Sequence, residues 1–208
     1  MKNRLHDKKA GIFILIVLIL ISVAEVGFRH MFLRDMIATT ANYAETLAVI
    51  GVALAILIFT FTGKDRICYI LYGAWIAYFV FDQVFELPGM IIPLVTAIIA
   101  EGMFTIGNLG FAFHVISMIG IIVIGALLVE YMNDGTIYNK AFNIVSIVTI
   151  LTILGSIITY ILGILDRMPI AGLLVIFNDL YRLAMVFLFA FFAYDSAKKQ
   201  LLKVDFSK

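Results

Sequence analysis

Asp179 and Arg182 stand three residues apart inside an otherwise apolar run, with Asn178 beside them. Counted from Pro169, Asn178 and Asp179 lie about ten residues in, or ~15 Å at 1.5 Å per residue. That depth is near the middle of a bilayer. A centred Asp or Arg costs about 2.5–3.5 kcal/mol even on the lenient insertion scale, so charges there demand a reason. Asn178, Asp179 and Arg182 share an arc of roughly 100°, and the i,i+3 spacing lets the two charges pair on one helix face. The functional reading is the floor of a polar pocket; the competing one is a structural ion pair.

A second constellation lies upstream. At 100° per residue, Tyr72, Trp75, Tyr78, Asp82 and Glu86 fall within an arc of roughly 120°. One helix face therefore runs from aromatic rings to carboxylates as it nears one membrane surface. Rings with polar tips and two acids suit the wall of a site for an organic cation, through cation–π and charge contacts. An interfacial aromatic belt is the structural alternative, although Trp75 lies too deep for one. His114 is the only histidine well inside an apolar run, and it shares a face with Gly107, Gly110 and Ser117. Small residues let another helix approach closely, which makes His114 a hydrogen-bonded packing residue. Its ordinary pKa near 6.5 also suits a proton carrier. Thr149, Thr152, Ser156, Thr159 and Gly163 repeat the small-residue theme and read as a helix-packing face.

The elements that position these groups are transmembrane helices. Of 208 residues, 63% are hydrophobic and 14% charged, where a soluble domain carries roughly a quarter charged. There is too little polar surface to cover a water-facing globule, so the surface must face lipid. A crossing helix needs about 20 predominantly apolar residues. Runs at 10–28, 43–63, 67–86, 102–131, 138–165 and 169–195 qualify, separated by charged or turn-forming pieces at Arg29–Asp35, Gly63–Arg66, Asn133–Gly135 and Asp166–Pro169. The expectation is an all-α integral membrane protein, residues 1–208 forming one bundle of six transmembrane helices. Residues 1–24 resemble a secretory signal in layout, with a basic start, an apolar run and Ser22-x-Ala24; they are taken as the retained first span.

Between Pro88 and Glu101 lies a 14-residue apolar stretch containing Pro93. It is short for crossing and is expected to be a re-entrant or interfacial segment between spans 3 and 4. The alternative is seven spans, hinged at Gly107-Asn108-Leu109-Gly110. Charge placement decides. Six spans with a cytoplasmic N-terminus put eleven of the fifteen Lys and Arg inside, three outside (Arg29, Arg34, Arg167) and Arg182 within a span. Seven spans would give seven on each side. The positive-inside rule prefers six, with both termini cytoplasmic in a cell membrane of the bacterial inner type.

In that topology Glu25, Asp35, Glu45, Asp82, Glu86, Glu101 and Asp166 gather toward the outer side. They suit an acidic vestibule that concentrates cations, and they also follow from retention of bases inside. The tail from Lys198 to Lys203 suits a basic anchor on anionic headgroups.

Several classes are excluded or disfavoured. Net charge is +1, with no basic stripe for nucleic acid. Cys68 is the single cysteine, so neither a disulfide nor a CxxC site is available. HExxH, G-x-S-x-G and P-loop strings are absent, and nothing in the spacing supports a Ser117 or Ser156 partnership with His114. No catalytic residue, metal ligand or cofactor is assigned.

The leading expectation is a small-molecule or ion transport component with an outward-facing polar pocket. Asp179 and Arg182 would be its floor, with Asn178 and His114 adjacent. Trp75, Tyr78 and Asp82 would form a wall, and Glu86 and Glu101 the mouth. Pro88 and Pro93 would make the segment up to Glu101 a gate. The second expectation is a non-catalytic membrane subunit or sensor that stabilises a partner through its small-residue faces. A membrane-embedded enzyme acting on a lipid or quinone ranks third.

Overall fold

The computed structural model describes residues 2–32, 40–134, 139–165 and 172–199. These residues form six helices: α1 Lys2–Phe32, α2 Thr40–Phe61, α3 Asp65–Glu101, α4 Ile106–Asp134, α5 Asn139–Leu165 and α6 Gly172–Lys199. Among the described residues there is no strand. Five helices contain stretches long and apolar enough to cross a membrane; the apolar run of α2, Thr46–Phe61, is shorter. The expected break at Asp166–Pro169 lies outside the described residues, as do residues 33–35 of the one at Arg29–Asp35, whose first four residues still belong to α1.

The distribution of side chains is inverted relative to a water-soluble bundle. Phe13, Leu20, Ile58, Ile70, Phe85 and Leu151 are exposed, whereas Asp179 and Arg182 have no exposed surface at all. Backbone groups are satisfied within each helix, which is what an apolar solvent requires. The core is built of Leu15 and Leu18 from α1, Ile56 from α2, Trp75 and Phe79 from α3, Ile121 and Ile124 from α4, and Met185, Leu188 and Phe189 from α6. Consecutive helices pack side by side, and α6 closes the ring against α1 while also touching α3, α4 and α5. Its central place is why α6 can carry buried charge.

Glycine sets one tight connection. Gly63 takes φ +74°, a left-handed conformation that side-chain-bearing residues rarely adopt. It lets Lys64 N–H bond to Phe59 O at 3.0 Å before α3 begins at Asp65.

The segment from Pro88 to Glu101 departs from expectation. It is not a separate re-entrant or interfacial piece: α3 runs unbroken through Pro88 and Pro93 to Glu101, 37 residues in all. Each proline forfeits one backbone donor. Unwinding the apolar stretch would orphan many more backbone groups, which apolar surroundings cannot satisfy. The chain turns instead at Gly102, whose N–H still bonds to Ile98 O at 2.9 Å. Asn108 Nδ2 ties the corner by donating to Gly102 O at 2.9 Å and Ala97 O at 3.3 Å. Gly107–Gly110, the hinge of the seven-span alternative, lies inside α4. The small-residue faces do pack: Ser156 Oγ on α5 donates to Gly110 O at 3.3 Å on α4.

Candidate functional site

Three helices bring their polar groups to one place. α4 turns Gly110, His114 and Ser117 inward, and Ser117 Oγ donates to the His114 carbonyl at 2.7 Å. α6 contributes Asp179 and Arg182 from successive turns, and α3 contributes Asp82, Gln83 and Glu86. His114 Nδ1 lies 2.7 Å from Asp179 Oδ1. Arg182 Nη1 lies 2.9 Å from His114 Nε2 and 3.1 Å from Nδ1.

A carboxylate only accepts, so Nδ1 carries a hydrogen and gives it to Asp179. Arg182 Nη1 is nearly equidistant from the two ring nitrogens, which places it against the face of the imidazole. Arg182 also lies 3.7 Å from Asp179 Oδ1, and its Nη2 lies 3.9 Å from Glu86 Oε2. Asp179 and Arg182 bring one negative and one positive charge to the inner cluster.

The cluster is not fully satisfied. Among the described residues, Asp179 Oδ2, Arg182 Nε, Arg182 Nη2 and Gln83 Oε1 are buried without a hydrogen-bond partner. Nε and Nη2 form one edge of the guanidinium fork, the edge suited to a bidentate carboxylate. Only Glu86, beyond hydrogen-bond reach, stands before it.

Above the cluster lies a cavity of about 340 Å³ lined by residues of α1, α2, α3, α4 and α6. Its carboxylates are Glu25, Asp82 and Glu86, and its one guanidinium is Arg29, held by Glu25 at 2.6 Å. Tyr78, Phe79 and Tyr181 supply rings, and Ser22, Thr46 and Asn178 supply uncharged polar groups. Asp82 accepts from Gln83 Nε2 at 3.3 Å.

Compared with family models, curated proteins and solved structures, the chain matches none. The reading of this site therefore rests on its geometry.

The expected site residues separate into layers. Tyr78, Asp82, Glu86, His114 and Asn178 all line the cavity. Asp179 and Arg182, expected as its floor, lie behind His114, with no exposed surface and no part in the lining. The floor is the His114 ring. Trp75 is buried too, and reaches the cavity only by donating Nε1–H to Tyr181 Oη at 3.0 Å. Glu101 ends α3, fifteen residues beyond Glu86, or about 22 Å along the helix, and is not at the cavity mouth. Pro88 and Pro93 sit in the continuous helix between them. Glu45 has no described side-chain placement.

Sequence reasoning missed Tyr181, Thr46 and Ser22 in the lining, and Gln83 beside Asp82. Gln83 carried a legible signal, a lone amide next to a carboxylate in an apolar run, because buried amides seek partners. Tyr181 had none, since its ring is as common on a lipid-facing surface.

Proposed function

We propose that this chain is a six-span membrane transport component whose outward-facing cavity takes a small cation. The observation that carries the reading is an acid-lined, ring-lined cavity of about 340 Å³ ending on a buried charged cluster. Arg29 pairs with Glu25, and Asp82 and Glu86 add two further carboxylates to the lining of a confined space. Such a site concentrates cations, and Tyr78, Phe79 and Tyr181 offer ring faces to an alkylammonium group. The volume falls at the small end of ordinary ligand sites.

Direction follows from the positive-inside rule. The lining residues come from the C-terminal half of α1, the middle of α3 and the N-terminal halves of α2, α4 and α6. All of these ends point away from the lysine-rich side. In this reading α2 is the sixth span, its short apolar run flanked by Thr40–Glu45.

Tetraethylammonium is a suitable probe, and Trp75, the single tryptophan, is the reporter through its bond to Tyr181. Titrating the probe is expected to shift Trp75 fluorescence, and proteoliposomes are expected to accumulate labelled probe. The D82N/E86Q variant should lose both signals. Equal fluorescence response and equal uptake in wild type and variant, with folding intact, would remove the reading.

A second reading, a membrane subunit that stabilises a partner, draws on a different feature. An apolar groove of about 570 Å³ between α3 and α4 is lined by Gly73, Ala77, Gly125 and Ala126, small residues of the kind that admit a neighbouring helix. A stoichiometric partner retained in mild detergent would favour it.

A further inference from the structure

We propose that the groove between α3 and α4 binds one hydrocarbon chain of an anionic phospholipid, whose headgroup meets Arg66. The inference goes beyond the cation reading and does not rest on it. It concerns another face of the bundle and requires only that the protein lies in a bilayer.

The groove follows from residue size along α3. Arg66, Ile70, Gly73, Ala77, Phe81 and Val84 succeed one another at steps of three or four residues, so they share one helix face. The five after Arg66 line the groove. In its middle stand Gly73 and Ala77, too short to fill the space beside α4, where Ala126 is equally short. The two helices meet at the bottom, where a methyl group on Gly125 would collide with the Val80 side chain. Phe192 of α6 lies behind Gly73, its Cζ 4.0 Å from where a β-carbon would stand. Ala77 and Ala126 are exposed, so the groove opens toward lipid. It shares no lining residue with the acidic cavity.

Dimensions select the occupant. The lining on α3 runs from Tyr69 to Val84, fifteen residues or about 22 Å. Dividing the volume of about 570 Å³ by that length leaves a cross-section of about 26 Å². A helix with its side chains is about 10 Å across, or roughly 80 Å² in section, and does not enter such a slot. A polymethylene chain does. At about 1.3 Å of advance per carbon, from C–C bonds near 1.5 Å, about seventeen carbons fill the length. That is the size of an ordinary phospholipid chain.

Inside a bilayer, hydrocarbon has no hydrophobic reason to prefer the groove over other lipid tails. Packing contacts hold the chain, and the headgroup decides which lipid supplies it. Arg66 is exposed in the first turn of α3, one turn before the Tyr69–Ile70 end of the groove. Its planar fork matches phosphate oxygens. Asp65, the adjacent acid, points about 100° away round the helix. One basic side chain near the membrane surface favours an anionic over a zwitterionic lipid by about fivefold.

The test compares two lipids with identical chains, palmitoyl-oleoyl phosphatidylglycerol and palmitoyl-oleoyl phosphatidylcholine. Full-length protein is delipidated in mild detergent, titrated with each, and its lipid adducts counted by native mass spectrometry. The expected wild-type result is one tight phosphatidylglycerol per protein, bound about fivefold more strongly than phosphatidylcholine. R66Q should erase that preference and leave phosphatidylcholine binding unchanged. A77F and A126F, which fill the groove from its two walls with lipid-facing side chains, should each weaken both lipids at least tenfold. Circular dichroism and melting point establish that the variants are folded. Equal wild-type affinity for the two lipids, a preference that survives R66Q, or undiminished binding in both A77F and A126F would each overturn the proposal. So would a wild-type dimer that A77F dissociates, because a second copy would then occupy the groove.

Discussion

Replacing Arg182 with methionine removes the one cation from a sealed interior and leaves Asp179 in place. The structure sets the magnitude. The substitution removes the guanidinium from its 2.9 Å contact with His114 and its 3.7 Å contact with Asp179. Stranding the remaining buried charge costs about 3–5 kcal/mol. Asp179→Leu strands Arg182 and should cost a similar amount, since Glu86 is too far away to hydrogen-bond to it. The double variant D179L/R182M strands neither. Only His114 loses partners, and its cavity face can take water. The double variant is therefore expected to cost no more than about 2 kcal/mol, against about 6–10 for the two singles added together. The coupling energy, at least about 4 kcal/mol, exceeds the ~0.6 average for neutral interhelical hydrogen bonds in membrane proteins. Reversible unfolding by SDS in mixed micelles, followed by circular dichroism, measures all four chains. Additivity within about 0.5 kcal/mol would refute the reasoning, because it would mean that the two charges do not depend on each other.

Two further outcomes follow from packing and from the cavity. A methyl group at Gly120 would collide with the Thr149 side chain on α5, whereas one at Gly27 meets nothing closer than Met31 Cε at 4.0 Å. Gly120→Ala should cost roughly 1–3 kcal/mol of overpacking, with most of it recovered by adding Thr149→Ala, and Gly27→Ala should cost little; equal melting points for the two alanine variants would show that α4 and α5 are not in close contact there. In a Cys68→Ser background, Asn178→Cys in the cavity should react from the outer side with a cationic thiosulfonate about tenfold faster than with an anionic one, a factor worth about 1.4 kcal/mol. Ser156→Cys, at a fully buried position, should stay unlabelled by either, and equal rates at Asn178→Cys would deny the acidic character of the cavity.

Much of the fold is legible because lipid imposes a coarse code. Length, apolarity and helix-ending residues located all six helices, and five of them meet the length and composition needed to cross a membrane. The error at Pro88–Glu101 has a physical source: proline reads as a helix breaker in water, where freed carbonyls find solvent, but not where unwinding leaves them nothing. The site is legible only within one helix at a time. Periodicity puts Asp179 and Arg182 on one face, and Tyr78, Asp82 and Glu86 on another. It says nothing of His114 inserting between Asp179 and Arg182 from 65 residues away, because that contact depends on the close approach of α4 to α6. The layering was equally invisible. A charge at mid-membrane depth suggests a pocket floor, and only packing tells whether water reaches it.

That layering carries the functional argument. The innermost charges, Asp179 and Arg182, are opposite and 3.7 Å apart, which contains the desolvation cost. The further carboxylates, Asp82 and Glu86, stand where the cavity opens and water can solvate them. The carboxylates beyond the inner pair are thus displayed at the surface a ligand would meet.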